Sequence, residues 1–316
     1  MACGSGQPDF FDSLPDPIFL LILNRVSDVK TLLRCRSLSR RFNSLVPQAD
    51  SLLLRVDRVI SASDAVSFIS TLFHSLLASF QHLIPSALSG KPLPPRLPNS
   101  PSQILLGFDA IRSLRIELPS ADLRLEKGAS IKWVARFGKT LQSCVILAFR
   151  NAAESGCSGG LKMGVIWTIT ALIAASARHY MVGDVVSEQP FLSNLIVDDR
   201  ENEGTLIMDE AGLREYREYG AETPEETADH DSVWWPSNRT TVPAVGISMR
   251  HEAKTELPGG LTMEGATLVV VRPRNAAEEP DEAALIAAAF GSHGVYAEAA
   301  ARLLKCRCYV LETNSF

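Results

Sequence analysis

The short pattern with most chemistry in it is Gly156-Cys157-Ser158-Gly159-Gly160. It matches the G-x-S-x-G elbow that presents a nucleophilic serine between a strand and a helix, as in α/β-hydrolases. Asp198 with His251 or His293 would have to complete a triad. The surroundings fit poorly. The apolar run Gln142 to Phe149 ends too early, because polar Asn151 to Ser155 stands where the elbow needs an immediate turn, and no HGGG-type oxyanion segment is present. A glycine-rich loop is the favoured reading, with a Ser158 hydrolase as the third functional alternative.

Cys306-x-Cys308 would place two thiols on one face of a strand. Zinc takes about four ligands, and no second Cys/His cluster stands near in sequence, so buried cysteines are favoured over a metal site. His230, between Asp229 and Asp231, and His251, before Glu252, sit in or near polar loop sequence and read as exposed. Neither a metal nor a cofactor is expected. From Asp198 to Asp231 the chain holds 13 acidic against three basic residues, followed by Trp234-Trp235-Pro236. Two readings stay open: a recognition rim for a basic target segment involving Glu222, Glu225 and Glu226, or a solvated loop whose tryptophans tuck back into the core.

The elements that must position these residues belong to a chain of 316 residues with 46% hydrophobic and 21% charged side chains, the balance of a folded globular protein. Its length suggests a small module and one larger domain. A net charge of -5, without any Lys/Arg block, argues against nucleic acid as a partner. The first residues lack the charged and apolar regions of a secretory signal, and the six cysteines read as reduced thiols, which places the protein in nucleus and/or cytoplasm. The apolar run Met163 to Ala177 has 15 residues, short of the roughly 20 needed to span a bilayer, so it reads as a buried helix and no membrane is expected.

Residues 1–11 read as disordered. Residues 12–47 resolve into three helices: one opened by Pro15 and Pro17 and reaching Val26, one capped by Asp28 and running through Leu38, and one capped by Ser39 and carrying Phe42, Leu45 and Val46. In 48–102, an amphipathic helix over Asp64 to Ile84 is followed by a loop with six prolines between Pro85 and Ser102. In 103–316, four segments share an L-x-x-L-x-L strand pattern: Ile111 to Ile116, Leu141 to Ile146, Leu192 to Val197 and Val242 to Ile247. They are offset by 30, 51 and 50 residues. Helix-like stretches such as Trp133 to Lys139 and Met163 to Tyr180 lie between them, with further strands at Thr267 to Arg272 and Cys306 to Glu312 and a helix at Ala283 to Phe290. The expectation is an α/β chain whose 103–316 domain is a degenerate, leucine-rich-repeat-like array, with a plain α/β sandwich as the alternative.

The first helix is unusual. Ile18-Phe19-Leu20-Leu21-Ile22-Leu23 is apolar on every side rather than along one stripe, in a module of about 35 residues that is too small to cover it alone. A partner groove is the natural cover.

Leu14-Pro15, Ile18, Ile22 and Val26, then Leu32-Leu33-Arg34-Cys35, then Leu38-Ser39-Arg40-Arg41-Phe42 and Leu45 resemble the F-box motif, with Phe42 where Trp is common and Leu38 where Val is usual. The segments LLLRVDRVIS, FGKTLQSCVILAF, TALIAASARHYMV and CRCYVLETNSF extend the resemblance over nearly the whole chain, to the auxin up-regulated group of plant F-box proteins. Membership implies binding to a Skp1-type adaptor and, through it, to cullin and RING subunits of an SCF ubiquitin ligase. The chain would serve as a non-catalytic adaptor that presents an unknown protein target for ubiquitination. It further implies that Leu14, Pro15, Ile18, Ile22, Val26, Leu32, Leu33, Leu38 and Phe42 form the Skp1-binding anchor. Arg34, Arg36, Arg40 and Arg41 could meet acidic adaptor residues or remain solvated. The runner-up function is an interaction protein that uses its F-box outside such a ligase.

Overall fold

The computed structural model describes residues 13–56, 104–119, 128–151, 160–221, 243–257, 262–274 and 281–313. The chain enters through helices α1 (Asp16–Val26), α2 (Val29–Cys35) and α3 (Arg40–Leu45). Local chemistry sets their limits. Pro15 is the N-cap of α1, and Pro17 follows in its first turn, where no intrahelical N–H is lost. An Asp28 carboxylate oxygen accepts the Thr31 N–H at 3.0 Å, and the Ser39 hydroxyl accepts the Phe42 N–H at 3.3 Å. Helix α2 stops at Cys35 instead of Leu38, because the N–H groups of Ser37 and Leu38 turn back to the carbonyls of Arg34 and Cys35.

A 3-10 turn, Val46–Gln48, leads directly into strand β1 (Ser51–Arg55), within the stretch expected to be linker. The expected helix over 64–84 and the proline-rich loop lie outside the described residues, as do 1–11. Strands β2 (Ser113–Leu118), β3 (Ala129–Phe137), β4 (Leu141–Asn151), β5 (Asn194–Asp199), β6 (Gly204–Met208), β7 (Val245–Glu256), β8 (Thr262–Pro273) and β9 (Cys308–Thr313) complete one nine-stranded sheet. Its order is β1-β2-β5-β6-β3-β4-β8-β7-β9.

All four L-x-x-L-x-L segments reach into strands, with Val242 outside the described residues, but they do not stack as repeats. A repeat array needs successive parallel neighbours, whereas β4 and β7 are antiparallel to their neighbours and β3 and β4 form a hairpin outside the β2–β5 pair. The stretch Trp133 to Lys139 is not helical either. Ile131, Trp133, Ala135 and Phe137 alternate into one core along β3, and that period of two prevails.

Burial on both faces explains the near-continuous apolar run of β4. Cys144, Ile146 and Ala148 join the core shared with α4 (Gly160–Met181), while Val145, Leu147 and Phe149 meet the layer made by α7 (Glu282–Phe290) and α8 (Val295–Leu303). Two further helices, α5 (Gly183–Glu188) and α6 (Glu210–Ala221), lie on the α4 side. By length and composition α4 could cross a membrane, yet here it packs on β3, β4, β6, β7 and β8 and buries Trp167, Ala171, Ala174 and Ala175. The three N-terminal helices share the core on that same face: Phe19, Leu23, Val29, Leu32 and Leu45 join Leu52 and Leu54 of β1 and Leu114 and Ile116 of β2.

Candidate docking surface

Helix α1 divides its apolar run between two environments. Phe19 and Leu23 point into the core, and the Phe19 ring meets Phe42 edge-on at 4.8 Å. The opposite side is bare: Ile18, Leu21, Ile22 and Val26 are 46%, 68%, 40% and 41% exposed. Leu33 on α2 and Leu38 in the turn before α3 are exposed too, so the apolar surface of α1 continues onto α2 and the α2–α3 turn. Surfaces of this composition mark interaction sites.

The helices are pinned so that this face stays presented. Arg41 donates to the Leu14 carbonyl and to the Asp16 carboxylate at 2.7 Å, and its guanidinium lies 5.0 Å from the Phe19 ring centroid. It ties α3 to the start of α1. The Asn24 amide oxygen accepts the Asp50 N–H at 3.0 Å, and the Ser27 carbonyl accepts the Leu53 N–H at 2.9 Å. Asp28 and Leu53 thereby bridge the outer edge of β1.

Of the nine anchor residues proposed from sequence, Pro15, Ile18, Ile22, Val26, Leu33 and Leu38 lie exposed. Leu14 and Phe42 are half-buried, and Leu32 is wholly inside the core. Leu21 was absent from that set although it is among the most exposed of the six-residue run. Only the packed α1 shows which turn of an all-apolar helix faces out. Among the arginines, Arg41 is engaged as above and the Arg36 Nε donates to the Asn43 amide oxygen at 3.1 Å, whereas Arg34 and Arg40 sit on the exposed surface.

The alternative chemistry disperses. Ser158, His230, Glu222, Glu225, Glu226, Trp234 and Trp235 lie outside the described residues. Asp198 is on β5, its carboxylate 2.5 Å from Arg115, and His251 is on β7, its Nδ1 3.0 Å from the Thr267 hydroxyl. Five strand spacings separate β5 from β7, roughly 24 Å, so these two cannot share a triad. His251 is half-buried on a strand rather than exposed in a loop, and its imidazole pKa is lowered by that burial, while His293 is exposed in the turn between α7 and α8. Cys306 precedes β9 and is half-buried, and Cys308 at its start is exposed, which corrects the expectation of two buried thiols on one strand. Among the described residues no group of three metal-ligating side chains converges.

The acidic stretch also resolves differently. Asp198 and Asp199 end β5, and Asp209 and Glu210 open α6; the Asp209 carboxylate accepts the Gly212 N–H at 2.9 Å. A buried pair went unforeseen. Arg178 reaches Asp199 at 2.8 Å and the Gly204 carbonyl at 2.6 Å, over the Trp133 indole at 4.7 Å. In sequence Arg178 looks like the charge that ends an apolar run.

The chain is 45% identical over 339 aligned positions to the F-box protein AUF1 of Arabidopsis thaliana, covering 98% of this chain and 100% of that protein. It is 47% identical over 321 positions to the F-box protein AUF2 of the same plant, again covering 98% and 100%. A third Arabidopsis thaliana F-box protein, At4g18380, is 36% identical over 98% of this chain and 94% of its own length. No family model matches the chain. No solved structure matches it.

Proposed function

The chain belongs to the plant F-box proteins, in the auxin up-regulated group that its sequence resembles, and from that premise we propose that it is the substrate-recognition subunit of an SCF ubiquitin ligase. Its exposed helical face docks on a Skp1-type adaptor, which joins it to cullin and RING subunits, and the sheet domain holds a protein target. The chain is a non-catalytic adaptor that acts by proximity, raising the effective concentration of target lysines at the charged E2. It works in nucleus and/or cytoplasm.

The observation that carries this reading is the bare side of α1, Ile18, Leu21, Ile22 and Val26, continued by Leu33 and Leu38. A helix exposing that many large apolar side chains gains by burial in a groove, at about 25 cal/mol per Å² of apolar area covered. Leu32 and Phe42 act from inside, by setting the helix packing that shapes this face, and Leu14 by holding Arg41. Arg34 and Arg40 are free to steer an acidic adaptor into register.

A pull-down of the full chain with purified Skp1 tests this. Binding that is lost in Leu21→Asp and Ile22→Asp supports the reading, and absence of binding by the parent chain overturns it. Adaptor binding without ubiquitin ligation in a reconstituted SCF would favour an F-box role outside the ligase.

A further inference from the structure

The sheet has two outer edges, and they are treated differently. On β1 the Leu53 N–H is taken by the Ser27 carbonyl and Asp28 bridges the strand, so the turn between α1 and α2 occupies the middle of that edge. Strand β9 ends the sheet on the far side and, among the described residues, pairs only with β7. It is six residues long, in unbroken register with β7, and contains neither Pro nor Lys. Natural edge strands are commonly blunted by charged residues, Pro, bulges or covering segments, and along β9 the one such device among the described residues is Glu312, next to its end. Tyr309, Val310 and Leu311 are 37%, 69% and 43% exposed, apolar side chains on both faces of a strand whose outer side meets no other strand among the described residues.

We propose that β9 is the target-binding edge: an extended peptide of the target adds to the sheet as a tenth strand, antiparallel to β9. This rests on the reading of the chain as a target-holding subunit. A strand pair of six residues covers far less than the roughly 1,200 Å² at which stable protein dimers begin, so a short linear segment fits the edge better than a second copy of the chain. The place suits that role, because β9 lies eight strand spacings, roughly 38 Å, from β1 and the helices packed beside it.

Side chains along the edge define the peptide. Tyr309 and Leu311 share one face, cross-strand from Met249 and Ile247, while Val310 lies on the other, opposite Ser248. Arg307 stands before the strand, over the Tyr309 ring at 5.3 Å, and exposed Glu312 stands near its end, 3.1 Å from Arg274. An antiparallel partner therefore starts with a basic residue opposite Glu312, continues with three apolar residues opposite Leu311, Val310 and Tyr309, has a small residue opposite Cys308 and ends with an acidic residue opposite Arg307. The recognised class is an extended segment reading basic, apolar, apolar, apolar, small, acidic.

The test is fluorescence anisotropy of the full chain with a fluorescein-labelled peptide reading lysine, leucine, valine, leucine, serine, glutamate. Two further peptides carry N-methyl groups on alternate amides, one set each. Only one set faces β9, so one peptide should lose binding by about tenfold or more and the other retain it. Arg307→Glu combined with Glu312→Lys should exchange preference toward the charge-reversed peptide. No saturable binding, equal binding of both methylated peptides, or unchanged charge preference overturns the proposal. So does a dimer seen by light scattering that Val310→Lys dissociates, since the edge would then belong to a second copy. Peptide binding by a chain that takes no Skp1 would sink the ligase reading alone, and Skp1 binding without peptide binding would sink this one alone.

Discussion

Arg178 and Asp199 meet at 2.8 Å with side chains only 2% and 1% exposed, joining helix α4 to the end of strand β5. The same carboxylate accepts the N–H groups of Glu203 and Gly204 at 2.9 Å each, so it also closes the β5–β6 hairpin. Removing one member leaves the other charged and buried without its partner. Arg178→Ala should therefore cost about 3–5 kcal/mol, read from urea unfolding midpoints at unchanged slope. A loss below about 1 kcal/mol would show that water replaces the guanidinium.

The two sides of α1 separate stability from docking. Phe19→Ala removes a core ring and should cost about 3–5 kcal/mol, whereas Leu21→Ala, on the exposed side, should stay within about 0.5 kcal/mol. For the proposed docking on Skp1 the order reverses, and Leu21→Ala should weaken binding by roughly 1–2 kcal/mol. Thermal unfolding together with titration calorimetry on the same two variants checks both halves.

His179 should make the fold sensitive to mild acid. Burial pushes its imidazole from 6.5 down to about 4, against the opposing effect of its bond to the Gly138 carbonyl. Since a carbonyl only accepts, the Nε2 carries the proton of the neutral ring, which stacks on Phe137 at 4.5 Å. Between these pH values the unfolded chain takes up a proton that the folded chain refuses. Stability from this group is full above about pH 6.5 and falls by about 3 kcal/mol as pH drops to about 4. His179→Phe should lose less between pH 7 and pH 4.5 in chemical denaturation. Equal losses in parent and variant would refute the assignment.

Ser27 ends α1 with φ 51°, in the left-handed region that costs a residue with a Cβ about 1 kcal/mol. Its backbone groups, not its side chain, hold Leu23 and Leu53. Ser27→Gly should raise stability by about 0.5–1 kcal/mol, offset in part by greater freedom of the unfolded chain. Differential scanning calorimetry would show an upward shift in Tm, and a downward shift would mean that the hydroxyl does more than the turn requires.

What could be read from the sequence was the local part. Asp28 and Ser39 announce their helices because an N-cap needs only a side-chain oxygen and the next three residues. Strands near Leu114, Ile146, Val197 and Ile247 show through their alternation. Their order in the sheet does not, because β3 reaches β6 over an intervening β4, α4, α5 and β5, and nothing in any one segment states that pairing. The docking face was half visible for the same reason. The six-residue apolar run says that α1 needs cover on all sides, but only packing decides that Phe19 and Leu23 turn inward and Leu21 outward. Trp133 to Lys139 misled by composition, where a period of two in its burial reveals the strand.

Strand β1 has a mechanical consequence. Because it is hydrogen-bonded both to the α1–α2 turn and to β2, any hinge between the N-terminal helices and the nine-stranded sheet at that seam has to break those bonds, so while they hold the two move as one lever. A tilt of about 10° at the helices sweeps the far edge, roughly 38 Å away, through about 7 Å. Aim, rather than slack, then decides what the far edge meets.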